Sequence, residues 1–328
     1  MTTRVQGFEG VRHDTSHERR RLVADVQYYL TLSPRQLPSR YFYDALGSAL
    51  FDAICRLPWY GVTRAENRLL VRYRSEIFAR SGSISTLVEL GSGSGEKLRT
   101  LLEAPTRGGH ATVHLVDVSA AALESALGRL ADVFGLTPVA HQAEYEDGLV
   151  AVSRARRTGR ALALFLGSNI GNFDRPGAES LLGQIRATLR EGDRLLLGAD
   201  LVKPERDLLL AYDDPLGVTA AFNRNILIRL NTELDADFDL ERFSHRAVWN
   251  PAESRVEMHL VSIADQRVRL GIAELEIDLF KGESIWTESS YKYRPDEIVA
   301  LVEHAGFRCS AQWIDDEDPF ALTLFQAT

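Results

Sequence analysis

Leu87-Val88-Glu89-Leu90-Gly91-Ser92-Gly93-Ser94-Gly95-Glu96-Lys97 decides the fold of this chain: an apolar strand runs into glycine at every second position, then into a helix predicted over Leu98 to Glu103. Alternating glycines permit a sharp turn and close backbone approach to a ligand, and the following helix starts with unpaired N–H groups. This is the pattern of a nucleotide-cofactor loop. A phosphate-cradling loop needs Lys and then Ser or Thr directly after its last glycine, but Glu96 intervenes and Leu98 follows Lys97. A dinucleotide fingerprint needs a glycine three residues after Gly93, where Glu96 stands. ATP, GTP and NAD are therefore disfavoured, and a merely structural strand-to-helix turn stays open beside the cofactor reading.

What remains, Glu89 two places before the run Gly91, Gly93, Gly95, resembles the S-adenosylmethionine loop of class I methyltransferases. The next apolar segment, Val113 to Asp117, ends in a carboxylate about 20 residues beyond the glycines, where doubly wound folds place the acid that binds ribose hydroxyls. Asp117 could instead cap a helix predicted over Ser119 to Leu130. Strands at 87–90, 113–117, 161–166 and 194–199, with a helix at Ala178 to Arg190, predict a parallel sheet. A helix over Pro295 to Ala305 and strands at Arg308 to Ile314 and Phe320 to Phe325 follow. That terminal antiparallel pair is similar to the one closing the seven-stranded sheet of class I methyltransferases. Between them, a helical stretch from Pro204 to Leu234 and alternating segments at 255–261 and 267–272 break the rhythm. The expected architecture is α/β: a Rossmann-like methyltransferase core over 65–200 and 291–328, with a second α+β substrate-binding lobe over 15–64 and 201–290. The substrate cleft is expected between the two parts.

Composition narrows the function. The chain has 328 residues, is 45% hydrophobic and 26% charged, and carries a net charge of −8, which argues against a nucleic-acid footprint. Its basic clusters, Arg19 to Arg21 and Arg154 to Arg157, read as solvated helix faces. The two cysteines, Cys55 and Cys309, lie far apart and fit reduced thiols. A polar N-terminus and the lack of any apolar run of about 18 residues predict a cytoplasmic protein that does not engage a membrane. The histidines are scattered without ligand spacing, so no metal is expected.

Several blocks together resemble the histidine Nα-methyltransferases of ergothioneine biosynthesis: Tyr41-Phe42-Tyr43-Asp44, Arg56-Leu57-Pro58, Thr63-Arg64-Ala65-Glu66, the glycine loop, Phe165 to Asn172, Gly198 to Lys203, Ala211 to Asp214, Gly217 to Asn225, Glu257-Met258 and Thr287 to Ser290. The resemblance implies S-adenosylmethionine as methyl donor and S-adenosylhomocysteine as product. It implies that L-histidine and its mono- and dimethylated forms are substrates, that the product is hercynine, and that the protein is a monomer. Asn172 and Tyr212 would hold the substrate carboxylate, and Tyr43, the catalytic candidate, would lie near the α-amine. Glu288 and Ser290 would bind the imidazole, with Tyr60 and Met258 lining the same wall. Glu89, Gly91, Gly93, Gly95, Lys97 and Asp117 would hold the cofactor. Glu144-Tyr145 would meet its adenine where the family has Asp-Phe.

The residues alone leave alternatives: Asn172 as a turn residue, Tyr212 as a core aromatic, Glu288 paired with Lys292, Lys97 as a solvated helix-start lysine. Chemistry favours the division of roles. An amine gaining three methyl groups grows bulkier at each round, so the unchanging carboxylate is the better anchor. Glu288 and Ser290, two apart on a strand, would share a face and select an imidazole over an apolar side chain. Tyr60-Gly61-Val62 replaces the family's Tyr-Tyr-Pro, which predicts a more flexible covering loop. Because the amine must be neutral to attack, activity should rise toward alkaline pH. A methyltransferase acting on another aromatic amino acid such as tryptophan, and a non-catalytic S-adenosylmethionine-binding regulatory module, are the competing readings.

Overall fold

The strand Ile84–Leu90 is buried along nearly its whole length, as an interior strand must be when both faces of a sheet are covered. The structure, a computed structural model, describes residues 15–104, 110–133, 135–156 and 158–328. Ile84–Leu90 is central in a seven-stranded sheet. On one side lie Ala111–Asp117 and then Leu136–Gln142; on the other lie Arg160–Phe165, Arg194–Asp200, Phe320–Ala327 and Phe307–Ile314. The first five strands in sequence are parallel, and Phe320–Ala327 runs antiparallel to both its neighbours. The chain leaves the central strand to one side and later returns on the other. The end of Ile84–Leu90 is therefore a topological switch point, where open α/β sheets bind ligands.

This sheet belongs to one of two compact units, formed by 62–202 and 292–328; the other comprises the described residues up to Gly61 together with Lys203–Tyr291. The breaks differ by a few residues from the expected lobe limits, for local reasons. Ala65, Leu69 and Leu70 of the helix Gly61–Ser81 are buried, and Leu201 and Val202 pair with Tyr293.

Local chemistry explains where the elements of the first unit depart from expectation. Leu136–Gln142 reads poorly as a strand because of Pro138, yet it is an edge strand, where proline is tolerated. The helix Arg175–Thr188 starts three residues early because the Asp174 side chain accepts the Gly177 amide and Pro176 fits the first turn. Arg156 is not on a solvated face: its side chain is 2% exposed and paired with Asp193 at 2.6 Å. The Asp193 carboxylate also accepts the amides of Ala161 and Arg190, so three polar groups satisfy it in the interior. Arg157 lies outside the described residues. The core here gathers Val88, Leu90, Val116, Leu181, Ile185, Leu197 and Phe325.

In the second unit the stretch 204–234 is two helices, Glu205–Tyr212 and Val218–Leu234. Asp214 ends the first continuity by accepting the amides of Leu216, Val218 and Thr219. Val218–Leu234 buries Phe222, Ile226, Leu227, Leu230 and Leu234, and packs on the helix Ala45–Ile54 and on a sheet. That sheet has the order Arg35–Gln36, Ser284–Tyr291, Arg255–Ser262, Phe243–Asn250. Gln266–Leu270 and Leu275–Leu279 form a separate antiparallel pair. At Gly47 a Cβ would stand 1.6 Å from the carbonyl oxygen of Phe42, so no other residue fits. The neighbouring Asp44 caps its helix through the Gly47 amide and also accepts from Asn225. Among the described residues no helix is long and apolar enough to cross a membrane, and no cluster of His, Cys, Asp and Glu could hold a metal.

Candidate active site

The glycine loop is folded back on the strand beside it. The amides of Gly91 and Ser92 donate to the carbonyl of Val116 at 2.8 and 3.3 Å, and the Gly93 amide donates to Asp117 Oδ2 at 2.8 Å. Gly91, Gly93 and Gly95 have φ of +70°, +50° and +76°, the left-handed region that favours glycine. A Cβ at Gly91 would meet the Tyr145 hydroxyl and the Asn169 side chain, and one at Gly95 would meet Ala126. Gly93 has open space on that side, as a loop that cradles a ligand requires.

Asp117 does not cap the next helix; Ser119 does, accepting the Ala122 amide. Asp117 accepts the amides of Gly93 and Ser119 with its two oxygens, which fixes the carboxylate at the switch point. Glu89 is 2% exposed, and its Oε2 and the Ser92 hydroxyl oxygen are buried without a hydrogen-bond partner. Burial pushes the Glu89 carboxyl up to about 8, with Lys97 pulling the other way. Such orphaned polar atoms call for a ligand that supplies donors. An S-adenosylmethionine, with its ribose hydroxyls and ammonium as donors, meets that need, so the residues present fit it.

Lys97 stands in the first turn of the helix Glu96–Leu102 and pairs with Glu66, its Nζ 2.6 Å from Oε2. Glu66 is wholly buried and its two oxygens also accept the Gly167 amide. No role for Glu66 follows from the motif Thr63-Arg64-Ala65-Glu66 alone; the signal for it is an acid on the same helical face as the buried Ala65, Leu69 and Leu70. Glu144 stands at the N-cap of Tyr145–Ala155. The Tyr145 ring packs edge-on against Phe165, which tethers it beneath the loop. Asn172 closes the short 3-10 helix Asn169–Asn172, entered through Gly167 and Ser168, both at positive φ. For serine that conformation is strained; it is held by the Ser168 hydroxyl accepting the Asp200 amide. Lys292 pairs with Asp200 at 2.9 Å, both buried.

The second unit gathers the remaining candidates. Tyr43 meets Phe51 and Phe222 edge-on, each at 5.8 Å, Phe51 meets Tyr60, and Tyr60 meets Tyr212 at 6.3 Å. Phe51 and Phe222 thus join the three tyrosines into one aromatic run. Tyr60 is buried and Gly61 is the first residue of a 21-residue helix, so the predicted flexible loop is not found there. The Tyr212 hydroxyl hydrogen-bonds Ser290 Oγ at 2.7 Å, which brings together two residues expected at opposite ends of the substrate. Along Ser284–Tyr291 a bulge falls between Trp286 and Glu288. Beyond it Glu288 pairs with Met258 and Ser290 with Val256, so Glu288, Ser290 and Met258 share one face of the sheet. Counting by twos from the buried Ile285 would have pointed Glu288 and Ser290 the other way; the extra residue, Thr287, resets the alternation.

A family described as histidine-specific methyltransferase, SAM-dependent, matches residues 22–327. A Histidine N-alpha-methyltransferase of Mycolicibacterium smegmatis is 45% identical over 92% of this chain and 93% of its own length. One of Mycobacterium tuberculosis is 43% identical over 92% and 93%. Ergothioneine biosynthesis protein 1 of Neurospora crassa is 27% identical over 85% of this chain and 32% of its own.

Proposed function

The chain belongs to the histidine-specific, S-adenosylmethionine-dependent methyltransferases, and from that membership we propose that it methylates the α-amino nitrogen of L-histidine three times, giving hercynine in ergothioneine biosynthesis. S-adenosylmethionine supplies an electrophilic methyl group on a sulfonium and leaves as S-adenosylhomocysteine. Glu89, Gly91, Gly93, Gly95, Lys97, Asp117, Glu144 and Tyr145 hold it. The transfer is a direct displacement without a covalent enzyme intermediate, so the protein contributes alignment and exclusion of water.

Asn172 and Tyr212 bind the carboxylate that every round retains. Tyr43 takes part in removing the amine proton, through water, before each attack. Glu288 accepts from an imidazole N–H and Ser290 serves the second nitrogen. An apolar side chain in their place would leave buried polar groups unpaired. The observation that carries this reading is the shared face of Glu288, Ser290 and Met258. A monomer working in the cytoplasm completes the proposal.

The test is product mass spectrometry after incubating the purified protein with S-adenosylmethionine and all standard amino acids. Histidine gaining one, two and three methyl groups supports the reading. Methylation of another amino acid, or none, overturns it.

A further inference from the structure

Thr287 and Ser290, which flank Glu288 on one strand, are the two ends of a closed hydrogen-bond circuit through three other elements. The Thr287 hydroxyl bonds Asn223 Oδ1 at 2.7 Å. The Asn223 amide nitrogen lies 2.8 Å from His245 Nδ1 and donates to the His259 carbonyl at 3.2 Å. His245 Nε2 lies 2.8 Å from the Tyr212 carbonyl oxygen, and the Tyr212 hydroxyl returns to Ser290. Asn223 and Thr287 are 0% and 1% exposed, and the His245 side chain 2%.

Partner chemistry fixes the protons. A carbonyl only accepts, so His245 Nε2 carries the hydrogen. The Asn223 amide cannot be reversed, because its nitrogen must face the His259 carbonyl; it donates to Nδ1, which therefore has none. A second proton on His245 would set an N–H against an N–H. Burial lowers the affinity of this imidazole for that proton; Asp213, 3.9 Å from Nε2, and Asp214 oppose burial while Arg224 reinforces it, and the His259 ring is also near.

We propose that His245 is a positioning residue of the acceptor pocket: held as the neutral Nε2–H tautomer by Asn223, it anchors the main chain of Tyr212 and thereby the Tyr212 hydroxyl and Ser290, while Asn223 and Thr287 fix the bulge that turns Glu288 to the same face. The inference rests on the acceptor reading above but concerns residues to which that reading gives no role.

The experiment uses the intact protein. The acceptor is first established by product mass. An acceptor other than histidine overturns the proposed function alone, and the variants are then read on the acceptor found; no turnover on any amino acid overturns both. His245→Asn keeps the acceptor for Asn223 and loses the Tyr212 link, His245→Gln does the reverse, and Thr287→Val removes only the hydroxyl. The expected result for His245→Asn and Thr287→Val is an acceptor KM raised about tenfold with the S-adenosylmethionine KM unchanged. His245→Gln and Thr287→Ser should stay nearer wild type. An unchanged acceptor KM, or equal rises for both substrates, overturns the inference. Should the variants not fold, nitrogen-15 spectra of the wild-type histidines decide: an imidazolium or an Nδ1–H tautomer for His245 at neutral pH overturns it.

Discussion

The ammonium of Lys97 lies 2.6 Å from the carboxylate of Glu66, which is wholly buried. One acid thereby joins the helix Gly61–Ser81, the helix that follows the glycine loop, and the turn at Gly167 after the strand Arg160–Phe165. Lys97 is neither a solvated lysine nor a group held only by a ligand; it arrives at the cofactor loop already fixed.

Removing the cation should leave Glu66 buried and uncompensated. Lys97→Met is expected to cost about 2 kcal/mol, less than a fully buried pair because the Lys97 side chain is 28% exposed, and to weaken S-adenosylmethionine binding. Glu66→Gln keeps an acceptor for Gly167 and should cost less. Thermal unfolding with and without S-adenosylmethionine measures both; an unchanged Lys97→Met midpoint would refute the structural role of the pair.

Glu89 gives a pH-dependent signature. Its folded carboxyl titrates near 8, raised above the unfolded value by burial. The stability it contributes is present below the unfolded value and is lost as pH rises through about 8. Glu89→Gln should therefore melt above wild type without cofactor, by a margin that widens between about pH 4.5 and pH 8 and is full at pH 9, while binding S-adenosylmethionine more weakly. A Gln variant that melts lower at pH 9 would show that the carboxylate is compensated there.

Glu288→Gln and Ser290→Ala should raise the KM for histidine by about 10- to 100-fold while leaving S-adenosylmethionine affinity unchanged, since each leaves a buried polar partner unmet. Steady-state kinetics on histidine and phenylalanine would check it. Equal losses on both amino acids would place these residues away from the imidazole.

His114 Nδ1 and His141 Nε2 are 2.9 Å apart on adjacent strands. Burial first, and His141 second, hold His114 down to about 4, and burial lowers His141 too. Both folded values lie below the unfolded one, so the unfolded chain binds more protons as pH falls below about 6.5, and stability should drop from there toward pH 4. Melting curves across that range would show it, and His114→Gln should flatten the drop; a midpoint unchanged between pH 7 and 5 would exclude it.

Turnover at saturating substrate should rise between neutral and mildly alkaline pH, because the attacking amine must shed its proton. A flat profile would point to an amine deprotonated on binding.

Glu89, the three glycines and Asp117 were legible because their cause is local: an apolar strand, a backbone that must turn left-handed, and a second strand ending in an acid. The parallel sheet and its antiparallel finish followed from the same short-range periodicities. Leu136–Gln142 was not legible, since its proline is harmless only at an edge, and edge position is a property of the whole sheet. The face shown by Glu288 depended on a bulge whose extra residue is held by Asn223, 64 positions away. Arg156 with Asp193, Lys97 with Glu66 and His245 with Tyr212 were likewise settled by packing. By itself the sequence determined most of the strands, helices and turns, because those choices are made chiefly by neighbours along the chain. Only the tertiary structure decided which buried polar groups meet, because such groups must find partners in space, and sequence separation does not constrain which partner lies within reach.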